Sequence, residues 1–171
     1  MPETKPASEF IGGRVIQKAS PKFRHCVLQF ETVTQINRRT RRKRVGLAMS
    51  ELRCTFSGRS LVFDVSYFRW DRIQFDERGE PIDDVFLPPD FAIEVLSPDQ
   101  SEPKTVEKLR FSLAHCVKLG WLVNPYARTV KVFRPGKPVR VCRGTDVLNA
   151  GRLVGGFRCT VDELFGWLRI A

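Results

Sequence analysis

No Cys-x-x-Cys pair, no run near the roughly 20 apolar residues of a membrane span, no internal repeat and no low-complexity tract occurs in these 171 residues. Each absence excludes something. Cys26, Cys54, Cys116, Cys142 and Cys159 are odd in number and widely spaced, so neither a disulfide framework nor a zinc site is indicated, and a reducing cytoplasm fits. Met1 to Ser8 are polar with no apolar run behind them, which predicts a soluble protein without a leader or membrane partner. Gly and Pro are scattered, hydrophobic residues make up 42% and charged residues 28%, a balance that excludes a disordered chain. The length suits one domain, 1–171, large enough to bury a core without covalent staples.

What is present in excess is positive charge. Lys and Arg outnumber Asp and Glu by 29 to 19, giving a net charge of +10 and favouring an anionic partner. Arg38, Arg39, Arg41, Arg42, Lys43 and Arg44 stand within seven residues, enough to neutralise several phosphates and make nucleic-acid binding steeply salt-dependent. The plainer alternative is a solvated helix end, where cations also suit the helix dipole.

Ser20-Pro21 forms a start signal, and Phe23, Cys26, Val27, Phe30, Val33 and Ile36 recur behind it at helical spacing. The spacing predicts a long helix over about 21–41 with that stripe facing the core. Phe10 to Gln17, with its Gly-Gly step, reads as a short strand or hairpin edge. Glu51–Phe56 and Arg59–Phe68 read as strands joined at Ser57-Gly58. Residues 69–90 carry loop chemistry over a length that suggests an excursion near a binding surface. Phe91–Leu96 has the near-continuous apolar run of a central strand. A second helix opens near Pro103 and ends at Gly120, strands follow at Trp121–Val123, Thr129–Phe133 and Val139–Cys142, and Val161–Ile170 closes the chain as a helix capped by Thr160 or Asp162. This order predicts an α/β fold, a mixed sheet with helices on its faces.

Two acids sit where acids are expensive. Asp64 lies within Leu61-Val62-Phe63-Asp64-Val65, and Glu94 within Phe91-Ala92-Ile93-Glu94-Val95-Leu96. An unpaired carboxylate in such a strand costs several kcal/mol or takes up a proton, so each needs a cation, a donor or water. A shared divalent metal meets that need, and hard Mg²⁺ accepts one or two carboxylates with waters and phosphate. A structural ion pair or a sheet-edge carboxylate would meet it as well.

The run Pro89-Asp90-Phe91-Ala92-Ile93-Glu94-Val95-Leu96-Ser97-Pro98, then Glu107-Lys108-Leu109, Gly120-Trp121-Leu122-Val123-Asn124-Pro125 and Thr129 to Arg134, resembles the Uma-two family of restriction-endonuclease-like proteins. Phe10-Ile11-Gly12-Gly13-Arg14-Val15, then His25 and Gln29, and Asp64-Val65-Ser66 agree with it. The resemblance covers about residues 9–135 and is most specific from Pro89 to Pro98. It implies a PD-(D/E)XK nuclease core found mostly in bacteria, Mg²⁺-dependent with Mn²⁺ as a substitute, that cleaves phosphodiester bonds of DNA or RNA. A homodimer is compatible with it.

Carried over residue by residue, the resemblance makes Asp64 and Glu94 metal ligands and Lys108, on the second helix, the catalytic lysine. Leu96 occupies the place where the wider superfamily keeps its lysine, and Phe63 the place of the family's proline. Lys104, one turn before Lys108 on the same helix face, is its rival, and pairing with Glu102 is the structural alternative for Lys108. The superfamily's third acid is left open among Glu9, Glu31 and Glu51. His25 and Gln29 share a helix flank and are accessory candidates, although a lone helix histidine is more often packed or exposed. Against the enzyme stands a nuclease-fold module without activity, binding nucleic acid or a protein partner.

Overall fold

The computed structural model describes Thr4 and residues 6–171. The chain runs β1 (Ser8–Ile11), β2 (Arg14–Gln17), α1 (Phe23–Thr40), β3 (Gly46–Ser50), β4 (Arg53–Phe56), β5 (Arg59–Val62), β6 (Val65–Arg69), β7 (Phe91–Val95), α2 (Glu102–Ala114), β8 (Leu119–Asn124), β9 (Thr129–Phe133), β10 (Arg140–Arg143), β11 (Val147–Gly151), β12 (Phe157–Thr160) and α3 (Val161–Gly166). A six-stranded mixed sheet, β10-β9-β8-β7-β6-β3, forms the centre, beside a four-stranded sheet β2-β1-β5-β4 and the pair β11-β12. Only β7 and β8 run parallel in the central sheet, and α2 is the crossover between them.

The two faces of β7 show why the sheet sits between helices. Phe91, Ile93 and Val95 enter one core with Leu28 and Ile36 of α1 and with α3 and β11-β12, while Ala92 and Leu96 enter a second core with Leu109 of α2 and the four-stranded sheet. Each large apolar side chain fully buried there contributes about 1.5–3 kcal/mol of transfer free energy. Glu94 shares the second face by parity, beside α2.

Several expectations need correction. The strand predicted over Arg59–Phe68 is two strands in two sheets, because the chain bends at Phe63 and Asp64 and passes from β5 to β6. β3 escaped notice because Leu47-Ala48-Met49 is short and starts at a glycine, where a side chain would overlap the Tyr67 ring. The β11-β12 hairpin escaped too, its strands being short and half polar. Finally, α2 ends at Ala114 rather than Gly120, and α3 at Gly166, with Thr160 and Glu163 forming a reciprocal capping box.

Only part of the helical stripe on α1 meets the core, at Ile36 and, half-buried, Val33. Leu28, Ile36, Thr32, His25 and Gln29 face inward, whereas Phe23 is 73% and Phe30 67% exposed and Cys26 faces solvent. The inward face is part polar because the sheet end it covers carries the polar cluster described next. No helix among the described residues is long and apolar enough to cross a membrane.

Candidate active site

The bend between β5 and β6 places Asp64 at a sheet end. Val65 pairs with Ile93, so the next step outward sets Asp64 opposite Glu94 at the C-terminal end of β7. Asp64 is fully buried, and its Oδ2 accepts a 2.7 Å hydrogen bond from the Val95 amide. Its Oδ1 lies 2.7 Å from Lys18 Nζ and 3.5 Å from His25 Nε2.

Glu94 is engaged from the other side. Lys108 Nζ, from the inward face of α2, stands 2.6 Å from Glu94 Oε1 and 2.5 Å from Glu9 Oε1, and donates to the Val62 carbonyl at 2.8 Å. The Val62 amide in turn donates to Glu9 Oε1 at 2.8 Å, which fixes the acid that holds the lysine. The Glu94 contact is an ion contact rather than an aligned hydrogen bond, since Oε1 finds no well-oriented donor among the described residues.

α1 supplies two further polar groups from its first two turns. His25 Nδ1 is 3.3 Å from Ser97 Oγ, and its buried Nε2 is aimed at Asp64 without a well-aligned partner among the described residues. Gln29 Nε2 donates to Glu51 Oε1 at 2.9 Å and to the Asp64 carbonyl at 2.8 Å. Glu51 sits between β3 and β4 with φ at +52°, a left-handed conformation that costs a non-glycine residue free energy and is tolerated where surrounding contacts impose it. Lys18, just after β2, donates to the Val62 carbonyl at 3.0 Å and contacts both Glu51 oxygens at 3.3–3.4 Å.

Charge balance follows from this inventory. Glu9, Glu51, Asp64 and Glu94, if all were ionised, would outnumber the Lys18 and Lys108 ammoniums and the His25 imidazole that face them, in a setting buried except at Glu51. The surplus appears in the acidities. Burial and the neighbouring Asp64 push Glu94 up to about 8 despite Lys108. Burial acts the same way on Asp64, but the His25 contact and the Lys18 charge outweigh it and hold this carboxyl below the usual range. Burial lowers the basicity of His25, and Asp64 more than restores it, so the imidazole lies above its ordinary value. Two carboxylates driven in opposite directions within one cluster are the mark of a site built around charge.

Donor atoms of His25, Glu51 and Asp64 all lie within 4.8 Å of one another, a nitrogen and two carboxylates within reach of a single point. With an imidazole nitrogen that has no well-aligned partner among the described residues, and two carboxylates against the single Lys18 ammonium, this set fits a divalent cation.

Asp64, Glu94, Lys108, His25 and Gln29 come together, and of the three candidate acids Glu9 and Glu51 reach the cluster while Glu31 pairs with Gln35 along α1. Glu94 is not within the three-donor set; its carboxylate belongs to Lys108. Lys104 is exposed at the rim of a cleft of about 390 Å³ that opens onto Glu94 and Lys108, and Glu102 pairs with Lys131 instead of Lys108. Arg38, Arg39, Arg41, Arg42, Lys43 and Arg44 are all exposed, in no ion pair among the described residues, at the far end of α1 from His25. At 1.5 Å per residue, Arg38 lies roughly 20 Å along the axis from His25. Lys18 carries no signal of its own in the sequence, as a lysine after a short polar-apolar strand; only the pairing of the β1-β2 hairpin with β5 through β1 brings it to the Val62 carbonyl and Asp64.

Comparison with known proteins agrees with the fold. The profile of the Uma2 family, described as "Putative restriction endonuclease", matches residues 1–162. Among solved structures, a "putative nuclease belonging to DUF820" from Anabaena variabilis superposes with a TM-score of 0.94 at 38% identity, covering 98% of this chain and 94% of that one. No protein of curated function matches significantly.

Proposed function

Because the chain belongs to the Uma2 family of restriction-endonuclease-like proteins, we propose that it is a metal-dependent endonuclease hydrolysing phosphodiester bonds of DNA. The observation that carries this reading is the convergence of Asp64, Glu51 and His25 beside the Glu94–Lys108 pair at the C-terminal end of β7, where parallel strands of α/β sheets bind ligands. Asp64 and Glu94 are the proposed metal-site acids, with Glu51 and His25 as additional donors, and Mg²⁺ is the proposed ion with Mn²⁺ as a substitute. A divalent ion held there would acidify a bound water and neutralise charge on the phosphate.

The chain's own groups have distinct tasks. Lys108, fixed by Glu9 and the Val62 carbonyl, offers an ammonium where charge builds on the phosphate and where an attacking water must be oriented. Gln29 positions Glu51 and the Asp64 backbone without meeting substrate. Arg38 to Arg44 hold the nucleic-acid backbone away from the chemistry, adding affinity but not sequence preference.

Lys18, whose ammonium already sits against Asp64, favours a second reading: a neutralised site on a nucleic-acid-binding module. Incubation with supercoiled, linear and single-stranded DNA and with RNA, in Mg²⁺, Mn²⁺ or EDTA, separates the two. Cleavage that needs the metal and vanishes in Asp64→Asn is expected. Binding without cleavage under every condition, together with no ion uptake by calorimetry, would leave the module.

A further inference from the structure

We infer that Lys18 is a resident counter-cation of the metal site, an ammonium that a divalent ion must displace to reach Asp64 and Glu51. This rests on the site reading above and adds a residue and a loading step to it. A lysine at the end of an edge strand would ordinarily extend into water, and ordering its side chain costs up to about 2 kcal/mol of rotamer entropy. Lys18 nevertheless has a side chain only 9% exposed, turned back across β5. Its Nζ donates to Asp64 Oδ1 at 2.7 Å and the Val62 carbonyl at 3.0 Å and contacts Glu51.

These are the oxygens a metal would use. Asp64 Oδ1 is also the oxygen nearest His25 Nε2, so the ammonium stands inside the three-donor set. Two cations cannot share one carboxylate oxygen at contact distance without strong repulsion. Lys108 is different, since it holds Glu9 and Glu94 and has no contact with Asp64 or Glu51 within ion-pair distance. Displacement is also mechanically easy. β2 is paired only with β1, all four of its residues are exposed, and Lys18 lines the cleft of about 390 Å³ into which its side chain can swing. Without metal, Lys18 therefore keeps the carboxylates assembled; with metal, it is released into the cleft beside Arg59 and Lys104, toward an incoming phosphate.

Two measurements test this. In calorimetry with Mn²⁺, Lys18→Met should bind the ion at least about 10-fold more tightly than the wild type, because no buried pair has to be broken first. Its metal-free Tm should be lower, with the gap closing at saturating Mn²⁺, while Lys104→Met changes affinity less than about 2-fold. In the wild type, which needs no variant to fold, acetylation of Lys18 read by mass spectrometry should be slow in EDTA and rise several-fold when Mn²⁺ is added. If the wild type binds Mn²⁺ but Lys18 labelling does not change, or Lys18→Met binds no more tightly, the inference fails and the proposed function stands. If neither protein binds Mn²⁺, both fail together.

Discussion

At the scale of the residue, the informative contrast is between two lysines one helical turn apart. Lys108 is buried against Glu94 and Glu9, while Lys104 remains at the rim of the cleft. Lys108→Ala is expected to retain most Mg²⁺ affinity and lose roughly 10²-fold or more in plasmid cleavage, the size of one transition-state interaction, with Lys104→Ala near wild type. Single-turnover cleavage beside a metal titration measures both. Glu94 adds a pH dependence whose sign follows from its raised pKa of about 8. Between roughly pH 4.5 and 8 the native metal-free protein holds a proton there that the unfolded chain has released, so stability falls as pH rises through that window. Asp64 acts elsewhere: its lowered pKa contributes stability above the ordinary carboxylate range that is lost only as the pH falls below it. Urea denaturation in EDTA from pH 5 to 9 should show the decline, and Glu94→Gln should reduce it to the part that His25, also raised, contributes; an unchanged slope would mean that Glu94 stays ionised throughout.

At the scale of the element, α1 turns Ile36 and Val33 of its apolar stripe to the core and leaves the aromatic members of that stripe outside. Phe23 and Phe30 are in solvent, and the face against the sheet mixes Leu28 and Ile36 with His25, Gln29 and Thr32. Leu28→Ala and Ile36→Ala should each cost about 2–5 kcal/mol, since both are fully buried. Phe30→Ser should stay within about 0.5 kcal/mol of wild type, as for other exposed positions. Chemical denaturation of the three variants decides it, and a large loss at Phe30 would place that face in a packed interface. The same helix carries the two ends of the proposed function, His25 and Gln29 at one and the arginine cluster at the other.

At the scale of the whole molecule, the distance between those ends matters. The roughly 20 Å that separates Arg38 from His25 along α1 corresponds to about six base pairs of duplex, the length a nucleic acid would have to span to meet both ends. Neutralising Arg38, Arg41 and Arg42 should weaken binding and lower the steepness of its salt dependence, by up to nearly one power of salt concentration for each phosphate left without its arginine, at every sequence tested. Fluorescence anisotropy from low to physiological salt gives both numbers; unchanged affinity and slope would return the cluster to a solvated helix end.

Much of this was legible in one dimension. The apolar run around Glu94, the helix from Pro103 and the strand at Thr129–Phe133 announce themselves through local pattern, because a strand covered on both faces and a capped helix are written in neighbouring residues. Asp64 and Glu94 stood out for the same reason, acids within apolar runs. Tertiary structure decided the rest. Only the bend at Phe63 and Asp64, joining two sheets, brings Glu9 and Lys18 to residues more than 40 positions away. That Lys108 is buried while Lys104 stays at the rim depends on how far along α2 the sheet reaches, and that Glu9 and Glu51 reach the cluster while Glu31 does not depends on where β1 and the β3–β4 turn pack, neither of which hydrophobic periodicity records. Local composition set which elements form; the desolvation of charges pooled from distant strands set where they meet, because buried carboxylates are stable only beside cations that the fold itself must deliver.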